Sequence, residues 1–195
     1  MSKKKVTKRQ LHAICGPSGS GKSWFAQRYL DTVVVSTDDF YLGKSQMKSD
    51  GNGHYNFDTP EAVDLAECRE VLRQLVTLPV CEKVKIPIYE MKISERVGMR
   101  EVMVPGPDAI IVVEGIFSFH LFTKGTEADI VDFRIWMATS WAVVIARRIR
   151  RDCEERGRTL ESVLNQMPDV IRGYNQYVEP LKEQANVRLD FGAVI

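Results

Sequence analysis

The stretch Gly16-Pro17-Ser18-Gly19-Ser20-Gly21-Lys22-Ser23 constrains this chain more than any other. It follows the apolar run Leu11 to Cys15 and precedes Trp24 to Leu30, which reads as a helix. The pattern is G-x-x-x-x-G-K-[ST] between a strand and a helix. Its glycines turn successive backbone N–H groups inward on a polyphosphate, and the start of the following helix adds positive dipole. Lys22 is placed to reach the β- and γ-phosphates, and the Ser23 hydroxyl to ligate Mg²⁺. Gly16, Ser18, Gly19, Ser20, Gly21, Lys22 and Ser23 are therefore the expected nucleotide-binding residues. A Gly/Ser turn matching by chance has a probability on the order of 1% in a chain of this length.

A chain of 195 residues can bury one sizeable core, so residues 1–195 are expected to form a single α/β domain. Lys+Arg 27 against Asp+Glu 26 leaves a formal net charge of +1. No global field then recruits nucleic acid or an acidic membrane. The basic start Ser2 to Arg9 reads as a solvated tail. Cys15, Cys68, Cys81 and Cys153 are scattered, with neither C-x-x-C spacing nor a neighbouring His cluster. Reduced thiols and a cytoplasmic setting are expected. No apolar signal segment follows the basic start, and no apolar stretch is long enough to span a bilayer.

Val33-Val34-Val35-Ser36 reads as a second buried parallel strand. It leads into Thr37-Asp38-Asp39-Phe40-Tyr41, and acids at the carboxyl end of such a strand face the ligand crevice of an open α/β sheet. Asp38 is the candidate base for a hydroxyl proton in phosphoryl transfer, and it also lies near the metal. The polar stretch from Gly43 to Gly53 reads as a loop. From His54 a helix is expected to start at Asp58-Thr59-Pro60-Glu61 and run through Leu65, Val71, Leu72 and Leu75. Asp58 is on that reading either a plain helix cap or a site residue.

Val84 to Ile93 and Arg100 to Val104 suggest a hairpin outside the parallel core, an insertion spanning 84–104. Ala109 to Gly115 is the strongest strand, ending in Glu114, a candidate for holding Mg²⁺ directly or through water. Ile130 to Met137 supplies another strand, Ser140 to Cys153 a helix, and Val187 to Asp190 a last short strand. In Arg147 to Arg158, helical spacing sets Arg148 and Arg151 along one flank of an apolar face. Guanidinium groups there could close over a transferred phosphate. The plainer alternative is a solvated helix with internal ion pairs to Asp152, Glu154 and Glu155.

The order of these motifs resembles the uridine/cytidine kinases of the phosphoribulokinase and uridine kinase superfamily. The resemblance rests on G-P-S-G-S-G-K-S, S-T-D-D-F-Y, H-Y-N-F-D-T-P-E-A, I-P-I-Y, I-I-V-V-E-G-I, R-R-I-R-R-D-C-E-E-R-G-R and V-E-P-L-K, collinear from about Ile14 to Asp190. It implies a five-stranded, mostly parallel sheet of order 2-3-1-4-5 flanked by helices, with ATP and Mg²⁺ as cofactors and a small-molecule acceptor. It also allows a homo-oligomer. By resemblance Asp38 is the base for the ribose 5′-hydroxyl, Asp58 holds the ribose hydroxyls and Glu114 supports the metal. Tyr89 lines the base pocket, Arg148, Arg158 and Gln166 match substrate-contacting positions, and Arg151 and Arg156 match arginines near the phosphates. Tyr41, Phe57 and Arg96 fall on matching positions too.

The chain departs from the family pattern at Ser94, where a base-reading His is usual, and at Met91, where an aromatic is usual. Trp24 is an uncommon side chain for the first turn after the loop. Two alternatives follow: the same chemistry on another acceptor, such as a sugar phosphate or a pantothenate-like molecule, and a nucleotide-binding regulator that does not catalyse.

Overall fold

A computed structural model of the chain describes residues 9–28, 32–49 and 55–190. The basic start up to Lys8, the expected helix end at Tyr29 and Leu30, the 50–53 part of the polar loop and His54 lie outside the described residues. Among the described residues seven strands and four α-helices follow one another. β1 (Gln10–Cys15), α1 (Lys22–Ala26) and β2 (Thr32–Ser36) come first. α2 (Leu65–Thr77), β3 (Lys83–Glu90), β4 (Glu95–Met103) and β5 (Ile110–Glu114) follow. The chain continues with β6 (Phe133–Ala138), α3 (Trp141–Glu154), α4 (Leu160–Gly173) and β7 (Val187–Asp190).

Five strands form one sheet in the order β2-β5-β1-β6-β7, with every pairing parallel. Counting only core strands, this is the expected order 2-3-1-4-5. Because successive side chains point to opposite faces, each strand feeds two layers. Leu11, Ala13, Cys15, Ile111, Val113 and Trp136 join the larger core, which includes the apolar face of α2. Ile14, Val112, Ile135 and Met137 face the other way and pack with Ala26 of α1. A sheet covered on both faces needs near-continuous apolar strands, which is what Ile110 to Val113 provides. Every pairing of this kind points the carboxyl ends of β1, β2 and β5 toward the same edge, where the phosphate-binding loop begins.

α2 buries Cys68, Val71, Leu72 and Leu75 at helical spacing. Truncating a buried Leu such as Leu72 would cost about 2–5 kcal/mol. The helix starts later than the sequence pattern suggests. Asp64 is its cap, with Oδ1 accepting from Glu67 N at 2.8 Å, and Asp58 is not. The reason is long-range pairing: Tyr41 and Val63 form an antiparallel bridge, and Asp64 N donates to Phe40 O at 2.9 Å. Extended backbone at Val63 postpones the first helical turn.

β3 and β4 form the antiparallel hairpin apart from the parallel sheet, joined to the larger core through Val84 and Ile86, and its return strand begins at Glu95 rather than Arg100. β6 begins at Phe133, later than the apolar pattern from Ile130. α3 matches the expected helix, capped by Ser140 Oγ accepting from Val143 N at 3.4 Å. α4 is the element the sequence reading lacked. The four cysteines are unpaired thiols, and no helix among the described residues is long and apolar enough to cross a membrane.

Candidate active site

The phosphate-binding loop runs from β1 into α1 with a close backbone approach at its start. Gly16 has φ +146°, and a Cβ there would stand 2.3 Å from Met137 O. Only glycine fits. Gly21 caps α1 in the left-handed region with φ +93°. Ser20 is completely buried, and its Oγ finds no hydrogen-bond partner among the described residues. Lys22 folds back on the loop, its Nζ donating to Gly16 O at 3.0 Å and Pro17 O at 2.9 Å. Burial lowers its pKa from the ordinary lysine value, while the charges of Glu114 and Asp38 oppose that shift.

Glu114 ends β5 almost fully buried. Its Oε1 accepts from Ser23 Oγ at 3.1 Å and from Ser36 Oγ at 2.8 Å. Burial pushes its pKa up, and the nearby Asp38 carboxylate adds to the shift, whereas Lys22 and the two hydroxyls counter it. Ser36, which the sequence reading passed over, also accepts from Asp38 N at 3.2 Å. It therefore ties the ends of β2 and β5 together. Hydroxyl and carboxylate oxygens are hard donors, and Mg²⁺ is usually held by one or two carboxylates completed by substrate phosphates. Ser23, Glu114 and Asp38 fit that donor set. Among the described residues no cluster of three or more His, Cys, Asp or Glu is built to hold a metal by protein groups alone.

Asp38 and Asp39 diverge. Asp38 lines a cavity of about 340 Å³, while Asp39 Oδ2 accepts from Arg100 Nη2 of the hairpin at 2.9 Å. The same cavity is lined by Ser18, Gly19, Gly21, Lys22, Ser23 and Glu114 from the nucleotide side. From the other side come Tyr41, Phe57, Asp58, Tyr89, Arg158 and Gln166. Tyr41 packs against Phe57 and Tyr89 with ring centroids 6.0 and 5.6 Å away. Burial raises the Tyr41 phenol well above its ordinary pKa, and the charges of Asp38 and then Asp58 raise it further. Both carboxylates thus lie near enough to act on the Tyr41 phenol.

Asp58 sits in a short turn, its N–H donating to Asn56 Oδ1 at 3.0 Å. Its backbone rests on Gly173 of α4, where a Cβ would meet Asp58 O at 2.2 Å. Burial raises the Asp58 pKa, partly offset by Arg148, with Asp169 adding to the rise. Asp169, Tyr55 and Asn56 also line the cavity. None was singled out by the sequence, although Leu160, Val163, Met167 and Val170 after the cap Thr159 carried the helical spacing that places Gln166 and Asp169. Burial raises the pKa of the Tyr89 phenol, a shift that the neighbouring Ser94 partly offsets, and Ser94 is held at φ 55° in the hairpin turn.

The arginine series does not form a solvated face. Asp152 is completely buried, with Arg151 and Arg156 at 2.9 and 3.4 Å from Oδ1. Arg148 and Arg158 lie 3.6 and 3.8 Å from Oδ2. A buried carboxylate is tolerated only with such compensation. Arg148 and Arg151 both reach Ser18 Oγ at 3.4 Å, and Arg158 donates to Gln166 Oε1. Arg150 with Glu154 is the exposed pair of the plainer alternative. Arg96 is set apart from this cavity: it donates to Tyr41 O at 2.9 Å, Phe40 O at 3.0 Å and Glu67 Oε2 at 2.7 Å. Its position makes it a strut beneath Tyr41 and not a cavity wall.

A glycine loop with a buried lysine, a hydroxyl and carboxylate pair and a rank of arginines is equipped to neutralise a polyphosphate in transfer. Fold and site together define a P-loop kinase. The profile of the Phosphoribulokinase / Uridine kinase family matches residues 11–194, and the chain belongs to that family. A uridine kinase of Ureaplasma parvum serovar 3 is 33% identical over 185 residues, covering 91% of this chain and 86% of that protein. Uridine-cytidine kinase A of Dictyostelium discoideum is 34% identical over 187 residues, 92% of this chain and 36% of that protein. The crystallised phosphoribulokinase of Rhodobacter spheroides superposes with a TM-score of 0.63 at 19% identity, covering 94% of this chain and 70% of that one. At that identity the likeness shows the fold alone.

Proposed function

We propose that the chain works as a single kinase domain that transfers the γ-phosphoryl group of ATP to the 5′-hydroxyl of uridine or cytidine. The observation that carries this reading is that Asp38, Tyr41 and Asp58 line the one cavity that Lys22 and Glu114 also line. Relatives named uridine kinase at 33% identity support the nucleoside acceptor.

In this reading Asp38 accepts the proton of the attacking hydroxyl as its oxygen bonds to the γ-phosphorus, and the bond to the bridging oxygen breaks to release ADP. Lys22 with Gly16, Ser18, Gly19, Ser20 and Gly21 holds the triphosphate. Arg151 and Arg156 neutralise charge on the transferred group, their geometry fixed by Asp152. Ser23 and Glu114, with Asp38 beside them, would hold Mg²⁺, which when bound supplies positive charge against the phosphate oxygens. Asp58 accepts from the vicinal ribose hydroxyls, for which a carboxylate is a good bidentate acceptor. Tyr41, Phe57 and Tyr89 enclose the base and sugar, and Arg148, Arg158 and Gln166 complete the acceptor wall.

An ATP-consumption assay with Mg²⁺ over uridine, cytidine, adenosine, deoxynucleosides, ribulose 5-phosphate and pantothenate tests the reading. Turnover confined to uridine and cytidine is expected. Activity only with another acceptor would retain the kinase and replace the substrate, and silence throughout would leave a non-catalytic nucleotide binder.

A further inference from the structure

Trp24 is the one unusual residue of the loop region that the chemistry above leaves without a task. It follows Ser23 directly and lines the same cavity as Lys22 and Asp38, yet it is 53% exposed. A singly exposed apolar side chain is ordinary in itself; what sets Trp24 apart is that it lines the cavity that Lys22, Ser23 and Asp38 line. Its ring is also held in place. The Arg28 guanidinium carbon stands 3.6 Å from the ring centroid, and Arg28 Nη1 donates to Trp24 O at 2.9 Å. This (i, i+4) pair is a cation–π contact that fixes the plane of the indole.

The cavity thus has two aromatic provisions. Tyr41, Phe57 and Tyr89 surround the end that holds Asp58. Trp24 belongs to the loop end, and Arg147, which lines the same cavity, donates from Nη1 to Gly19 O at 3.3 Å. A donor whose terminal phosphate lies between Lys22 and Asp38 carries its nucleoside at the far end of the phosphate chain, away from the acceptor.

We propose that Trp24, backed by Arg28, is the platform on which the base of the donor nucleotide stacks. The proposal rests on the kinase reading of the loop and adds to it the residue that distinguishes a nucleotide from a bare polyphosphate. Stacking engages a ring face and not a hydrogen-bonding edge. The ligand class is therefore nucleoside triphosphates broadly, with the larger purine rings bound more tightly than pyrimidines.

Calorimetry of the full chain with Mg²⁺ and no acceptor tests this, using ATP, GTP and inorganic tripolyphosphate against wild type, Trp24→Ala and Trp24→Phe. Trp24→Ala is expected to weaken ATP and GTP by about 5- to 100-fold and to leave tripolyphosphate within about twofold. Trp24→Phe should restore most of the loss. Because the side chain is exposed, neither change opens the core, and unchanged melting temperatures would verify it. Unaltered ATP affinity in Trp24→Ala would overturn the proposal, and so would a parallel loss of tripolyphosphate binding, since that would mark a disturbed loop. Failure of the kinase reading looks different: nucleotides would bind with full dependence on Trp24 while no acceptor is turned over.

Discussion

Apart from Glu114, the nucleotide end of the cavity is lined from the single segment Ser18 to Ser23, whereas the acceptor end gathers Tyr41, Asp58, Tyr89, Arg158 and Gln166 from separate elements. The first is shaped by backbone: a glycine in close contact with Met137 O, a left-handed Gly21 and the helix start that it caps. The second is shaped by tertiary packing, with Asp58 resting on Gly173 and Arg158 bound to Gln166. Local geometry can be written in a short motif. An assembled pocket can vary one wall at a time, and Ser94 and Met91 are such variations.

Perturbing the ends separately should expose this division. The largest effect is expected where they meet: Asp38→Asn should lower kcat by about 10² to 10⁴ with little change in ATP affinity, measured by initial rates. An unaffected rate would remove Asp38 from the mechanism. Gly16→Ala forces a Cβ into Met137 O at a φ that disfavours it, so it should cost about 2–4 kcal/mol and weaken ATP binding. Denaturant unfolding and calorimetry would read both losses. Gly173→Ala has no backbone strain and crowds only Asp58, so it should cost about 1–3 kcal/mol and raise the acceptor KM while sparing ATP. Equal damage to ATP binding would contradict the separation.

Smaller again is the cap. Asp64→Ala should remove about 1 kcal/mol of stability without altering KM for either substrate, checked by thermal unfolding beside steady-state kinetics. The least effect at neutral pH concerns titration of Asp58. Its pKa is raised by burial, so on acidification it takes up a proton at a higher pH than an ordinary aspartate. The neutral acid accepts hydrogen bonds less well, and the acceptor KM should rise as pH falls, starting above the usual aspartate range. In Asp58→Asn that acid-side rise should vanish, and a wild-type KM flat with pH would argue against an ionised Asp58 in binding.

The sheet was readable because β1, β2 and β5 are short apolar runs ending at polar ligand positions, a pattern local to each strand. The family resemblance added the strand order, which no single segment contains. The start of α2 was misread because Asp58-Thr59-Pro60-Glu61 imitates a helix cap, while the bridge from Tyr41 to Val63 that delays the helix joins residues distant in sequence. α4 escaped notice because Pro168 interrupts an otherwise regular apolar spacing. Without it Asp169 could not be placed at the cavity. Ser36 was invisible for a different reason: a serine at a strand end matters only once Glu114 of another strand is beside it. The arginine series gave the reverse lesson. Its charges left a phosphate clamp and a solvated face both open, and the burial of Asp152 shows why four guanidinium groups converge on the cavity.

The most direct test of the two-ended site is initial-rate kinetics of Asp58→Ala with ATP and uridine each varied. The account predicts a uridine KM raised by about 10- to 100-fold and an ATP KM at the wild-type value, with the melting temperature close to wild type because Asp64 caps α2. An ATP KM that rises in step with the uridine KM, or a uridine KM that does not move, would contradict it.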